Sequence, residues 1–271
     1  MRVILSRKGF DSDYGGKPSP ILPDGRLMSL PIPLPGEKLS YGDLYLDGRT
    51  YQAVMDELGY KRFPTCHLDP DLRRGIVPRL PGWKPIFGQI DAAQGHLDNQ
   101  SIGAGDLFLF FGWFRHTRLD RLGKLVFDPA DREGKHIIFG YLQVEAKMRM
   151  NVATPCPTWM AYHPHTELRR RKRKNNTLYI AQDTCAWDNR LPGAGVFCYD
   201  ASLVLSKPGM TKRCWGLPDI FCGLSITYHS DTSWQADHFV SAGRGQEFVI
   251  EQDRQVENWA KGLILHNRVW Y

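Results

Sequence analysis

The chain has 271 residues, with 35 Lys and Arg against 29 Asp and Glu, for a formal net charge of +6. Hydrophobic residues make up 42% and aromatics 12%, which excludes a disordered tail and suits a folded protein with a substantial core. No stretch approaches the ~18 consecutive apolar residues of a membrane span. The opening MRVILSRKGF lacks the apolar length and the small-residue cleavage site of a signal peptide, so a cytoplasmic protein is expected.

In chain order, residues 2–5 read as a short buried strand that runs into Ser6-Arg7-Lys8-Gly9-Phe10-Asp11-Ser12. A loop leaving a strand end is where sheets of α/β type present ligand contacts. Arg7 and Lys8 suit phosphate, and Asp11 suits proton transfer or a developing positive charge; a charged surface loop has the same composition. Residues 18–36 are rich in Pro and Gly, with a turn expected at Pro23-Asp24-Gly25. Residues 51–59 read as a short helix, with Thr50 as N-cap and Gly59 at its end.

Cys66-His67-Leu68-Asp69-Pro70-Asp71 places an imidazole and two carboxylates close together. In extended chain His67, Asp69 and Asp71 share one side, an arrangement for general acid–base work or a divalent cation, although Asp-Pro-Asp also begins ordinary turns. Gln89, Gln94, His96, Asn99 and Gln100 crowd the segment before the next strand. Amides carry both donors and acceptors and can read the edge of a base, or can cap buried backbone.

Residues 106–114 and 136–144 give the strongest strand patterns, nearly continuous apolar runs that imply cover on both faces. Each holds one glycine, Gly112 and Gly140, which marks a bulge or a bend. Further on, His163-Pro164-His165 stands beside Trp159 and Tyr162; two histidines do not define a metal site, and the aromatic–basic mixture suits clamping phosphate and stacking on bases. The run Arg169, Arg170, Arg171, Lys172, Arg173, Lys174 follows and accounts for the whole net charge. Six adjacent cations repel one another and persist most easily against a polyanion such as nucleic acid; a solvated loop is the plain alternative. Residues 177–181, 201–205 and 246–251 read as further strands, and 255–265 as a closing helix.

The expected fold is therefore α+β: a single domain over 1–271 dominated by a mixed β-sheet, with a few short helices and a basic insertion near 165–176. The six cysteines are dispersed without a Cys-x-x-Cys pair, so neither disulfides nor structural zinc are expected. No segment carries three or four ligands at familiar spacing, so no metal and no cofactor are expected. The phosphate loop, the GxGxxG turn, the zinc-deaminase pattern and the GxSxG elbow are all missing, which argues against the corresponding enzyme classes.

Several segments in order carry a resemblance: SRKGFD at 6–11, PSPILPDGR at 18–26, SLPIP at 29–33, HLDPDL at 67–72 and AAQGHLDNQ at 92–100. GDLFLFFGWFR at 105–115, IIFGYLQV at 137–144 and GQEFVI at 245–250 continue it. Together they resemble the "nucleotide modification associated domain 3" family over nearly the whole chain, with 151–244 matching least. The family name records genomic association with systems that modify DNA bases. The chain is also similar to an antiphage DNA glycosylase that excises glucosylated hydroxymethylcytosine. That likeness implies a DNA-binding hydrolase of antiviral defence that flips a modified base into a pocket, with DNA as its partner. A carboxylate is then needed, Asp11 first, with Asp69 or Asp71 as alternates and His67 as a further catalytic residue; Gln89, Gln94, His96 and Asn99 would read the base. Arg7, Lys8, the 169–174 run and Trp159 would hold the strand. A base-modifying transferase and a non-catalytic reader of modified bases remain the competing readings.

Overall fold

A computed structural model describes residues 1–267, 269 and 270. The run Leu107–Phe111 is wholly buried, as a strand covered on both faces requires. It belongs to a long strand that lies inside the main sheet. In chain order the strands used below are β1 (Val3–Arg7), β2 (Ser19–Ile21), β3 (Ile86–Gln89), β4 (Leu107–Leu119), β5 (Lys135–Arg149), β6 (Thr177–Ala181), β7 (Ala194–Phe197) and β8 (Glu247–Val249).

The sheet runs β8-β1-β4-β5-β6-β3, with β7 also on β5 and β2 also on β4. It is mixed: β1 and β2 pair parallel to β4, whereas β8 on β1, β4 on β5, β5 on β6 and β6 on β3 are antiparallel. Register places Val3 opposite Leu107 and Leu5 opposite Phe248. The two ends of the path meet through side chains, because Gln89 Nε2 on β3 donates to Glu247 Oε1 on β8 at 2.7 Å. The sheet is thus curled, and the first and last thirds of the chain are joined where β8 pairs with β1 at one end of the path. One hydrophobic cluster extends from Val3 to Trp270.

Both strand glycines have a structural reason. The pairing of β5 with β4 shifts register between Ile138 and Gly140, a bulge. At Gly112 a Cβ would stand 2.7 Å from the carbonyl oxygen of Lys8, so this position admits no side chain where β1 leaves the sheet.

The helices are α1 (Tyr51–Glu57), α2 (Asp91–Asn99), α3 (Leu168–Arg171) and α4 (Arg254–His266). Thr50 caps α1 as expected, its side chain accepting from Ala53 N–H. Asp253 caps α4 through Gln255 and Val256 N–H, and Val256, Ala260, Leu263 and Ile264 form its buried stripe. No helix among the described residues is long and apolar enough to cross a membrane.

Two readings are corrected. Residues 201–205 are not a strand: Ala201–Leu203 form a 3-10 turn, because the Asp200 side chain accepts from Ser202 N–H and closes the chain locally. Residues 91–99, read only as a polar segment, form α2; its internal Gly95 and its Asn, Asp and His content hide a weak helical pattern in which only Gln94 and Leu97 are buried.

Candidate functional site

Chain leaving β1 passes Gly9, whose φ of +79° bends it beneath Leu30, where Phe10 N–H donates to the carbonyl of Leu30 at 3.0 Å. This turn carries Arg7, Lys8 and Asp11 to the wall of a cavity of about 550 Å³. Opposite stand His67 and Asp69, the end of β3 at Gly88 and Gln89, the first turn of α2, and His165, Arg170 and the 243–246 loop. Chain segments remote in sequence therefore contribute to one polar cavity.

Each cation is partly satisfied. Lys8 Nζ lies 2.8 Å from Glu247 Oε1 and over the Phe87 ring. Arg7 donates to the carbonyls of Ala242 and Gly243 and rests on Phe248. Burial pulls its guanidinium below the usual arginine range, with Asp11 opposing. Asp11 Oδ1 accepts from the N–H groups of Asp13 at 2.8 Å and Tyr14 at 2.7 Å, an Asx turn that fixes the carboxylate. Helix α2 begins at the cavity, and its N-cap Ile90 supplies no side-chain acceptor. Its first-turn N–H groups thus suit an anion.

Asp69 is a buried carboxylate surrounded by three imidazoles. Its Oδ1 accepts from Gly88 N–H at 2.7 Å and lies 3.3 Å from His163 Nε2, and its Oδ2 lies 3.9 Å from both His67 Nε2 and His165 Nε2. Burial works to raise its pKa, but His163, His165 and His67 outweigh that and hold it below the carboxylate range. Burial pushes the His165 imidazole down to about 3, with Asp69 opposing. Gly88 makes the cluster possible, since a Cβ there would stand 2.4 Å from His165 Cδ2.

Asp71 does not join His67 and Asp69. It is fully buried and turned away, bound by Arg79 at 2.6 and 2.7 Å and also accepting from the Tyr162 hydroxyl. The chain is not uniformly extended here, so alternation fails after Asp69. Of the amides expected at the site only Gln89 lines the cavity, and Gln246 joins it there. Gln94 is buried against Tyr179 and Asp98, His96 reaches the Thr227 hydroxyl, and Asn99 is exposed at the far end of α2. Helical spacing separates residues that an extended reading would group. Trp159 packs on a small second cluster with Met150 and Met160.

The basic run is not a free polycation. Arg169 and Arg170 pair with Glu37, Arg171 donates to the carbonyls of Asn151, Val152 and Thr154, and Arg173 pairs with Asp91. Lys172, Arg173 and Lys174 are exposed. Glu37 and Glu247, missed from sequence, organise the site. Burial opposes ionisation of Glu37, yet His67 and Arg170 hold it at about 2. An acidic residue inside an apolar strand run was the available sign of Glu247; Glu37, in a Pro/Gly-rich loop, had none.

No segment alone holds a metal-ligand set, but the fold gathers His67, Asp69 and His165, whose ligand atoms all lie within 4.8 Å of one another. All six cysteines are free, so none is used in a disulfide.

These features define an α+β protein with a curled mixed sheet and a polar cavity lined by both cations and carboxylates. Residues 2–251 match the family model described as nucleotide modification associated domain 3, and the chain belongs to that family. No curated protein and no solved structure matches it.

Proposed function

We propose that this protein is a DNA glycosylase that excises a hypermodified, glucosylated base from phage DNA. The observation supporting this reading is the cavity of about 550 Å³ in which Arg7, Lys8, Asp11, His67, Asp69 and Gln89 converge. Ligand sites are typically ~300–1,000 Å³, room for one nucleotide carrying an added sugar. A base inside a duplex cannot enter such a cavity, so the nucleotide is flipped out at a cost of a few kcal/mol.

In this reading the N-terminal turn of α2 and Arg7 hold phosphate, and Gln89 reads a polar edge of the base or its sugar. Water adds to C1′ of the deoxyribose as the C1′–N bond breaks, and the base leaves with the bonding pair and takes up a proton. Asp11 faces the positive charge that develops on the sugar and accepts the proton of the attacking water. Asp69 and His67 flank the same space.

The test is incubation with duplex DNA containing glucosylated hydroxymethylcytosine, and with plain duplex, followed by assay for abasic sites and mass spectrometry of the bases. Free modified base with an abasic site supports the proposal. A mass change on a base still attached would replace it by a transferase, and binding without chemical change by a reader.

A further inference from the structure

We propose that His67 Nε2, Asp69 Oδ2 and His165 Nε2 bind one divalent first-row transition-metal ion, with its remaining coordination positions open to the cavity. The inference stands on the geometry of these residues and goes beyond the choice of reaction above.

Hydrogen bonds around the cluster determine which atoms carry lone pairs. Asn176 Nδ2 donates to the carbonyls of Met150 at 3.1 Å and His165 at 2.8 Å, which leaves Asn176 Oδ1 as an acceptor facing His165 Nδ1 at 2.7 Å. Nδ1 of His165 therefore carries the proton, and its Nε2 presents a bare lone pair toward Asp69. At His67 the Nδ1 lies 3.4 Å from Glu37 Oε1 and 3.3 Å from Arg170 Nη2, and its Nε2 faces Asp69; a proton held on Nδ1 toward Glu37 leaves Nε2 with a lone pair. A carboxylate or amide oxygen behind a ligating imidazole is the arrangement that orients histidines toward a metal. On Asp69, Gly88 N–H donates to Oδ1, and Oδ2 is left toward the two histidines.

Asp69 Oδ2 and His165 Nε2 thus face each other as lone-pair atoms, and His67 Nε2 joins them in the tautomer protonated toward Glu37, an arrangement that a cation relieves. His163 adds a second sign: it is fully buried, and its Nε2 has no hydrogen-bond partner among the described residues although it stands 3.3 Å from Asp69 Oδ1. Two nitrogens and one carboxylate oxygen match the donor set of open sites for zinc and ferrous iron. Ligands at ~2.0–2.2 Å from one ion stand roughly 3.4 Å apart in tetrahedral geometry. Asp69 Oδ2 now stands 3.9 Å from each histidine and the three ligand atoms lie within 4.8 Å of one another, so binding an ion draws the side chains together. Because all three residues line the cavity, the open positions face whatever occupies it. An ion there would bring the pKa of a bound water to ~7 and place it beside the ligand.

The experiment uses the full chain, stripped by chelator and dialysed, and titrated separately with Zn²⁺ by calorimetry and with Co²⁺ by visible absorption. One equivalent of each is expected, with d–d bands for Co²⁺. His67→Ala, Asp69→Asn and His165→Ala should each lose at least 100-fold in affinity. Asn176→Ala, which removes the acceptor behind His165 Nδ1 along with the amide that donates to the Met150 and His165 carbonyls, should lose 10- to 100-fold. His96→Ala, remote from the cluster, should bind as the parent chain does.

If His165→Ala fails to fold, His67→Ala carries the test, since His67 is part-exposed in a two-residue bridge. The absence of stoichiometric binding, or equal binding by the parent chain and His67→Ala, overturns the site. Stoichiometric metal without abasic sites would sustain this inference and sink the glycosylase. Abasic sites from a chain that binds neither ion would do the reverse.

Discussion

Arg170 and Glu37 are ion-paired across 133 positions of sequence, with Nη1 of the arginine 3.2 Å from Oε2 of the glutamate. The Glu37 side chain is 1% exposed and that of Arg170 12%. Because Glu37 also faces His67, this pair ties the basic run to the floor of the cavity. The run is therefore divided into structural and solvent-facing cations, and the two groups should respond differently to neutralisation.

Arg170→Gln should lower stability by roughly 3 kcal/mol, because it leaves the Glu37 charge buried with a weaker partner. Lys172→Gln with Lys174→Gln should leave the melting temperature unchanged. If these lysines contact phosphate, the double variant should flatten the dependence of log DNA affinity on log salt by about 0.9 per lost contact. Melting curves and binding isotherms at several salt concentrations check both. An unchanged slope takes the two lysines out of any DNA interface.

Asp11 and Asp71 should separate chemistry from stability. Asp11→Asn retains the oxygen that accepts from Asp13 and Tyr14, so the turn should survive while base release falls by about 10²–10⁴. Asp71→Asn breaks a buried bidentate pair with Arg79 and should cost roughly 3–5 kcal/mol in unfolding free energy, with activity per folded molecule retained. Denaturant melts beside single-turnover assays distinguish them. Near-normal turnover in Asp11→Asn would move the carboxylate role elsewhere in the cavity.

Gly88→Ala should destabilise the chain by about 1–3 kcal/mol and displace the imidazole of His165, since the new methyl would overlap the ring. The backbone at Gly88 has no positive φ, so the effect would come from overlap alone. Thermal unfolding, with the ring resonances of His165 observed by NMR, reads both consequences.

His136 sets an acid-side limit on stability. Its ring is buried and accepts at Nδ1 from Trp215 Nε1–H at 3.0 Å. Burial first, then Arg7, Lys212 and Arg213, lower its pKa well below the histidine range. A depressed folded value means that the unfolded chain binds the proton more readily. This stability is complete above the unfolded value near ~6.5 and is lost as pH falls below it. His136→Gln keeps an acceptor for Trp215 and should reduce the loss of stability between about pH 6.5 and 5. Melting temperatures at closely spaced pH values measure the difference in slope; identical slopes would place the acid sensitivity in another group.

Much of the architecture was legible in the chain. Unbroken apolar runs at 107–111 and 137–142 mark strands with both faces covered, and they lie inside the sheet because only there can so many side chains leave water. Thr50 marked the start of α1 because a cap is satisfied within four residues. Arg7, Lys8, Asp11, His67, Asp69 and Gln89 were also identifiable as residue types able to bind or react, and all six reach one cavity.

What could not be read locally was everything set by contacts between distant segments. Asp71 turned inward to Arg79, α2 moved Gln94, His96 and Asn99 away from the cavity wall, and Glu37 drew Arg170 inward. The His67–Asp69–His165 cluster arises where the short bridge at Cys66–His67, the approach to β3 and the turn before α3 meet. Side-chain periodicity and capping act over a few residues, so composition and pattern disclose the elements. Which polar groups face one another depends on how the sheet curls and where buried charges find partners, and those energies exist only once the chain has folded.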